Sequence, residues 1–291
     1  MYPAAFDYSA PTNVEEAVSL LALHGEDAKI LAGGHSLLPL MKLRFAQPAR
    51  LVDLRRITEL TGVRRQGDML IIGAMTTHAA IAASPEVRDA LPILADAASR
   101  IGDPQVRNRG TIGGSLAHAD PGADLPAVML AVQARVMAVS ATGSRTIGAD
   151  ELFIGLLTSA LAQGELITQV RIPLPAARTG GAYAKHVHPA SRYAVVGVAV
   201  TITLAGITDT IERARVAVTG LGTHAVRAVG AEERLIGRPA DLETLGVAAA
   251  AVAADVEPRE AGGGEEHRRY TAQLLRVYAE RAMTKAVERA R

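Results

Sequence analysis

The chain has 291 residues, 49% of them hydrophobic and 21% charged, with a formal net charge of +1; this length suits two domains and the charge balance gives no reason for nucleic-acid binding. Aromatic residues make up only 3% and Trp is absent, which removes base-stacking platforms as a main device. Cysteine is absent too, so disulfides, thiol nucleophiles, Cys-ligated zinc and any iron–sulfur cluster held by this chain are excluded.

In chain order, the N-terminal segment lacks the basic stretch and apolar run of a secretory signal, and the expectation is a cytoplasmic protein. Thr12 and Glu15 have the spacing of a capping box. Val14, Ala17, Val18 and Leu21 then share one helical face, with Gly25 as the stop. A short strand over Ala28–Leu31 leads into a first glycine loop, Ala32-Gly33-Gly34-His35-Ser36. Residues 51–54 and 69–72 read as further short strands, and 85–100 as one helix with Val87, Leu91, Leu94 and Ala98 apolar. A second glycine loop follows, Gly110-Thr111-Ile112-Gly113-Gly114-Ser115.

Each loop sets two adjacent glycines before a hydroxyl side chain. Without a Cβ in the way, backbone N–H groups converge into a concavity that binds anionic oxygens. Two such loops suggest a diphosphate gripped from both sides, as in a dinucleotide cofactor, although a Gly-Gly pair can also simply close a turn. Neither loop has the G-x-G-x-x-G or G-K-[ST] spacing, which argues for a dinucleotide fold of another kind. The second loop sits in a segment crowded with Arg107, Arg109, His118, Asp120 and Asp124, a density typical of binding sites.

Strands follow near 135–139 and 166–172. Pro173-Leu174-Pro175 and Arg178-Thr179-Gly180-Gly181 form the best linker candidate. Beyond them come strands near 182–187, 195–204 and 213–219, then helices over 225–236, 242–254 and 267–290. The apolar run 194–207 is too short to span a bilayer and reads as a buried strand. The fold class is α+β, with a larger N-terminal part and a smaller C-terminal sheet backed by helices.

The two glycine loops, together with Phe6-Asp7-Tyr8, Leu51-Val52-Asp53-Leu54, Ile72-Gly73-Ala74-Met75-Thr76-Thr77, Gly220-Leu221-Gly222, Arg227 and Glu232, resemble the FAD-binding medium subunits of the molybdenum hydroxylases, the xanthine dehydrogenase and aerobic carbon monoxide dehydrogenase family. The resemblance covers nearly the whole chain. It implies a two-subdomain FAD-binding domain of the vanillyl-alcohol oxidase and p-cresol methylhydroxylase type over residues 1–176. A C-terminal α/β domain, a three-stranded sheet with helices, would occupy residues 177–291, and FAD would lie between the two without a covalent link.

The resemblance also implies roles. Ala32, Gly33, Gly34, His35, Ser36 and Leu37 would hold one side of the diphosphate, and Thr111, Gly113, Gly114 and Ser115 would supply backbone and side-chain donors on the other. Asp124 would bond ribityl or ribose hydroxyls, Leu161 and Ile167 would flank the adenine, and Lys185 and Tyr193 would reach the isoalloxazine. Other readings stand beside these: His35 as a turn histidine, Asp124 as a helix N-cap, Tyr193 as core. His118 and Asp120 have the look of a dyad but suit a structural role, and Arg107 and Arg109 could offset the diphosphate or pair with Asp103 and Asp120. The segment before Tyr193, Lys185 to Arg192, lacks the Gly-Asp usual in the family. The implied function is electron transfer: [2Fe-2S] clusters on a small subunit would receive electrons from molybdopterin on a large one and pass them to FAD here. The implied assembly is a dimer of heterotrimers with no membrane span, and the alternative is a stand-alone FAD-dependent oxidoreductase.

Overall fold

The computed structural model describes residues 2–206, 208–256 and 264–291. Three larger sheets organise the described residues, beside a two-stranded one of Phe153–Gly155 and Thr158–Ser159. The first is parallel, with Arg50–Asp53 in the centre between Asp7–Ser9 and Ala28–Leu31. Such strands need a crossover, and the helix Val14–His24 provides it, burying Ala17, Val18 and Leu21. Its cap differs by one residue from the expected box. Asn13 accepts from the Glu16 N–H at 2.8 Å while the Glu16 carboxylate accepts from the Thr12 N–H at 2.9 Å. Asn is as strong an N-cap as Thr, and the Glu16 carboxylate reaches one residue past the cap, to Thr12, instead of back to the cap's own N–H.

The second sheet is antiparallel, in the order Val63–Gln66, Met69–Gly73, Leu166–Pro173, Arg135–Ser140, Gly143–Gly148. The helical segment expected over 85–100 is two helices, Pro85–Ala90 and Pro92–Ser99, meeting at Leu91 with φ −141° and ψ 66°. A residue before proline is steered out of the α region, so Pro92 ends one helix and starts the next.

The third sheet, again antiparallel, runs Thr179–Val187, Ala194–Ala205, Thr210–Thr219, with a short fourth strand Val226–Arg227. Ile207, the last residue of the expected apolar run, lies outside the described residues. Gly180 and Gly181, expected in a linker, are inside the first strand of this sheet. A Cβ on Gly180 would stand 2.0 Å from the Ala286 carbonyl oxygen, so this glycine lets the long helix Gly264–Ala290 lie directly on the strand. The helix expected over 225–236 is shorter, Val229–Leu235.

Between the second and third sheets lies Asp124–Ala131, a helix buried at every one of its residues. Its neighbours come from both parts of the chain: one continuous apolar cluster joins Leu125, Val128 and Met129 to Tyr183, Ala199 and Ala217. Helices uniformly apolar all round belong in a core. No helix among the described residues is long and apolar enough to cross a membrane.

Candidate functional site

The strand Ala28–Leu31 ends in the first glycine loop. Gly34 has φ +79°, which a side chain would strain, and it turns the chain into the helix Leu37–Lys42. Among the described residues, the N–H groups of Gly33, Gly34, His35 and Ser36 donate to no protein acceptor. Four successive N–H groups left free by the protein, on residues that line one cleft, can serve as an anion cradle. A Cβ on Gly33 would lie 2.3 Å from the Arg109 carbonyl oxygen and 2.8 Å from the Gly110 Cα. The two glycine loops therefore touch backbone to backbone, and only glycine permits that distance.

The second loop is built differently from expectation. Gly110 to Ser115 is the start of a helix, Ile112–His118, with Thr111 as its N-cap. Its first-turn donors are already used: Ile112 N–H to the Thr76 carbonyl at 3.1 Å, Gly113 N–H to the Ala74 carbonyl at 2.8 Å, and Gly114 N–H to Thr111 Oγ1 at 3.2 Å. Gly113 and Gly114 therefore offer close approach rather than the backbone donors expected of them. The donors left to this side are hydroxyls. Thr111 Oγ1 accepts from Gly114, so its proton is free to point outward, and Ser115 also borders the same space.

That space is a cleft of about 950 Å³, near the upper end of the roughly 300–1,000 Å³ of small-molecule sites. The structure brings together around it all of Ala32, Gly33, Gly34, His35, Ser36, Leu37, Thr111, Gly113, Gly114, Ser115, Asp124, Leu161, Ile167 and Tyr193. Lys185 is not among the lining residues. It lies one layer behind, its ammonium fully buried and donating to Asp124 Oδ2 at 2.8 Å and to the Arg100 carbonyl at 3.3 Å.

Asp124 is the first residue of its helix, not the N-cap, which is Ala123. Its other oxygen accepts from the Tyr183 hydroxyl at 2.5 Å. Burial pushes the Asp124 carboxyl up from its ordinary value, and the adjacent Lys185 ammonium pulls against that. Burial likewise raises the Tyr183 phenol, with the Asp124 charge adding to it. Each Asp124 oxygen thus has one protein donor, and only its remaining lone pairs are available to the cleft.

Tyr193, at 43% exposed, packs against Gly122 and faces Ser36. Burial raises its phenol, and nearby Asp120 adds to the rise. Tyr193 lies in the connection between the strands Thr179–Val187 and Ala194–Ala205, so a C-terminal hairpin brings it to the same cleft as the first glycine loop. His118 Nε2 and Asp120 Oδ2 are 4.0 Å apart on the cleft wall, and Asp120 Oδ1 accepts from the Gly122 N–H at 2.8 Å; Asp120 shapes its own turn. Arg107 pairs with neither Asp103 nor Asp120. It donates to the carbonyls of Ile101 at 3.0 Å and Gly102 at 3.1 Å, holding a stretch of the cleft rim.

Two residues of this site escape sequence reasoning. Tyr183 sits in an apolar strand, and nothing in its neighbours marks its hydroxyl as the partner of Asp124. His78 opens the helix His78–Ala83 behind the N-cap Thr77 and lines the cleft at only 4% exposed. The Thr77-His78 pair after a strand is a capping signal that marks the helix start without marking the side chain's destination.

Residues 4–175 match the family described as the FAD binding domain in molybdopterin dehydrogenase, and residues 181–286 match the CO dehydrogenase flavoprotein C-terminal domain. The carbon monoxide dehydrogenase medium chain of Hydrogenophaga pseudoflava is 46% identical over 89% of this chain and 90% of its own. The 6-hydroxypseudooxynicotine dehydrogenase complex subunit alpha of Paenarthrobacter nicotinovorans is 41% identical over 100% of this chain and 97% of its own. A solved structure of the Hydrogenophaga pseudoflava carbon monoxide dehydrogenase, in a form lacking the Mo-pyranopterin moiety of its molybdenum cofactor, superposes with a TM-score of 0.94 at 44% identity, covering 99% of each chain.

Proposed function

The chain belongs to the family of FAD-binding medium subunits of carbon monoxide dehydrogenase-like molybdenum hydroxylases, and from that premise we propose that it is the electron-transfer flavoprotein of such a complex, in which electrons arrive from [2Fe-2S] clusters of a small subunit, supplied by a large molybdopterin subunit, and leave to an external acceptor. The absence of Cys supports this division, because the clusters must then belong to another chain. When bound, FAD supplies the redox centre, and the protein contributes binding, orientation and electrostatics.

The observation that carries the reading is the row of four N–H groups at Gly33 to Ser36 that have no protein acceptor among the described residues. These residues line the cleft, and their N–H groups would hold the diphosphate. The Thr111 and Ser115 hydroxyls would donate from the opposite wall. Leu161 and Ile167, on a separate stretch of the lining, would sandwich the adenine. Tyr193 would cover one face of the isoalloxazine, and Asp124 would accept from a ribityl hydroxyl while Lys185 keeps it ionised from behind. On this reading the cofactor lies where residues 1–176 meet residues 177–291, bound without a covalent link, in a dimer of heterotrimers.

The test is purification of the native protein with its absorption spectrum and metal content, in parallel with Gly34→Glu. The expected outcome is molybdenum, iron and FAD arriving with two further chains, and a folded variant that has lost FAD because a carboxylate occupies the cradle. A lone yellow protein that reduces an acceptor by itself, or full FAD retention by Gly34→Glu, overturns the proposal.

A further inference from the structure

Among the described residues, the His78 side chain makes no hydrogen bond, in a position where a polar ring should have one. Its backbone N–H donates to the Gly110 carbonyl at 3.0 Å, which fixes the residue beside the point where the two glycine loops touch. Nδ1 is shut away from solvent without any partner among the described residues. The ring therefore meets the cleft with its other edge, which lies against Gly110: a Cβ there would be 2.8 Å from Cδ2 and 2.9 Å from Nε2.

The tautomer follows from this burial. An orphaned buried N–H is rarer and more costly than an acceptor left unpaired. A neutral ring in this place therefore carries its proton on Nε2 and leaves Nδ1 as the bare acceptor. Neutrality is also expected, since burial, with a smaller push from neighbouring His35, lowers His78 to about 4. The result is a rigid N–H donor, with no competing protein acceptor, at the junction of both loops.

We propose that His78 is a further ligand of the cofactor's diphosphate, donating from Nε2–H to an anionic oxygen held between the Gly33–Ser36 cradle and Thr111. This rests on the FAD reading above, and adds a third wall to the site: the cradle supplies backbone donors, Thr111 and Ser115 supply hydroxyls, and His78 supplies an imidazole. Its role is to select an anionic linkage. A neutral ring already stripped of water loses little solvation on meeting the diphosphate, and charge-assisted hydrogen bonds of this kind are the strong ones.

The experiment uses the full chain with whatever subunits accompany it, stripped of flavin and titrated with FAD and with ADP by fluorescence and calorimetry. Three variants are compared: His78→Gln, which places an amide N–H where Nε2 stands, and His78→Asn and His78→Leu, which do not. Asn and Leu are expected to weaken both FAD and ADP by about ten-fold or more, while Gln stays within a few-fold of wild type. Nitrogen NMR of the histidine ring should show a neutral Nε2–H tautomer whose proton shifts on ADP binding. Equal affinity in all three variants, or an Nδ1–H tautomer, overturns the proposal while leaving the FAD site intact. Failure of the unaltered protein to bind either nucleotide instead overturns the FAD reading itself.

Discussion

At the scale of single residues, the site depends on polar groups that are out of water but only partly answered by protein. The Tyr183–Asp124–Lys185 group is the satisfied kind, with every member bonded. A buried ion pair of this sort contributes little net stability, yet removing one partner costs several kcal/mol because the other is stranded. Lys185 is thus better understood as the buried partner of Asp124 than as a cofactor contact. His78 is the unsatisfied kind, and this has a consequence for pH. Its folded value of about 4 lies below the ordinary 6.5, so the unfolded chain binds the extra proton first. Its contribution is complete above pH 6.5 and is lost as pH falls toward 4, amounting to about 3 kcal/mol over that interval. Chemical denaturation of wild type and His78→Leu across this range should show the wild type losing stability more steeply. Parallel curves would mean the ring is more accessible to protons than its burial indicates.

At the scale of elements, the critical piece is the short connection from the helix Ile112–His118 to the helix Asp124–Ala131. The ends of two C-terminal strands hold it in place. The Gly220 N–H donates to the Pro121 carbonyl at 2.7 Å, the Ala194 N–H to the Gly122 carbonyl at 3.1 Å, and the Thr219 hydroxyl is shared between the Pro121 and Ala123 carbonyls at 2.8 Å each. This connection carries Asp120, supports Tyr193 through Gly122 and leads into Asp124, so the cleft wall is set by strands remote in sequence. Thr219→Val keeps the shape and removes the donor, leaving buried carbonyls short of a partner. The expected cost is about 1–2 kcal/mol, read as a Tm lower by roughly 2–4 °C, with weakened FAD binding. An unchanged Tm would mean that the two backbone bonds suffice.

At the scale of the whole molecule, the two parts share a core. The buried helix Asp124–Ala131 packs on the C-terminal sheet, and the Arg215 guanidinium donates to the Leu130 carbonyl at 2.8 Å and to Asp150 at 2.5 Å, across the same boundary. Apolar surface common to both parts couples their unfolding. Calorimetry of the full chain should give a single transition with matching calorimetric and van't Hoff enthalpies. Two separated transitions would show that residues 1–176 and 177–291 fold as independent units and that the cleft between them can open without unfolding either.

Features whose physics is local are legible in the amino-acid order alone. The first helix, the strand Ala28–Leu31 and the long C-terminal helix follow from periodicity and capping, and both glycine loops were legible because glycine placement reflects backbone geometry. Their resemblance to a flavoprotein family carried the cofactor with it. Which of those groups are free depends on how distant segments come together. Gly113 and Gly114 read as phosphate donors until the Ala74 carbonyl and the Thr111 hydroxyl prove to be accepting their N–H groups. Lys185 reads as a flavin contact until Asp124 stands in front of it. Gly180 reads as a linker until a helix lies on it. His78, one polar residue at an ordinary helix start, carries no signal at all. The reason is common to all four: a residue's type states what it can bond or how closely it can be approached, whereas its partners come from segments far along the chain, and both hydrogen-bond satisfaction and close packing are properties of that assembled neighbourhood.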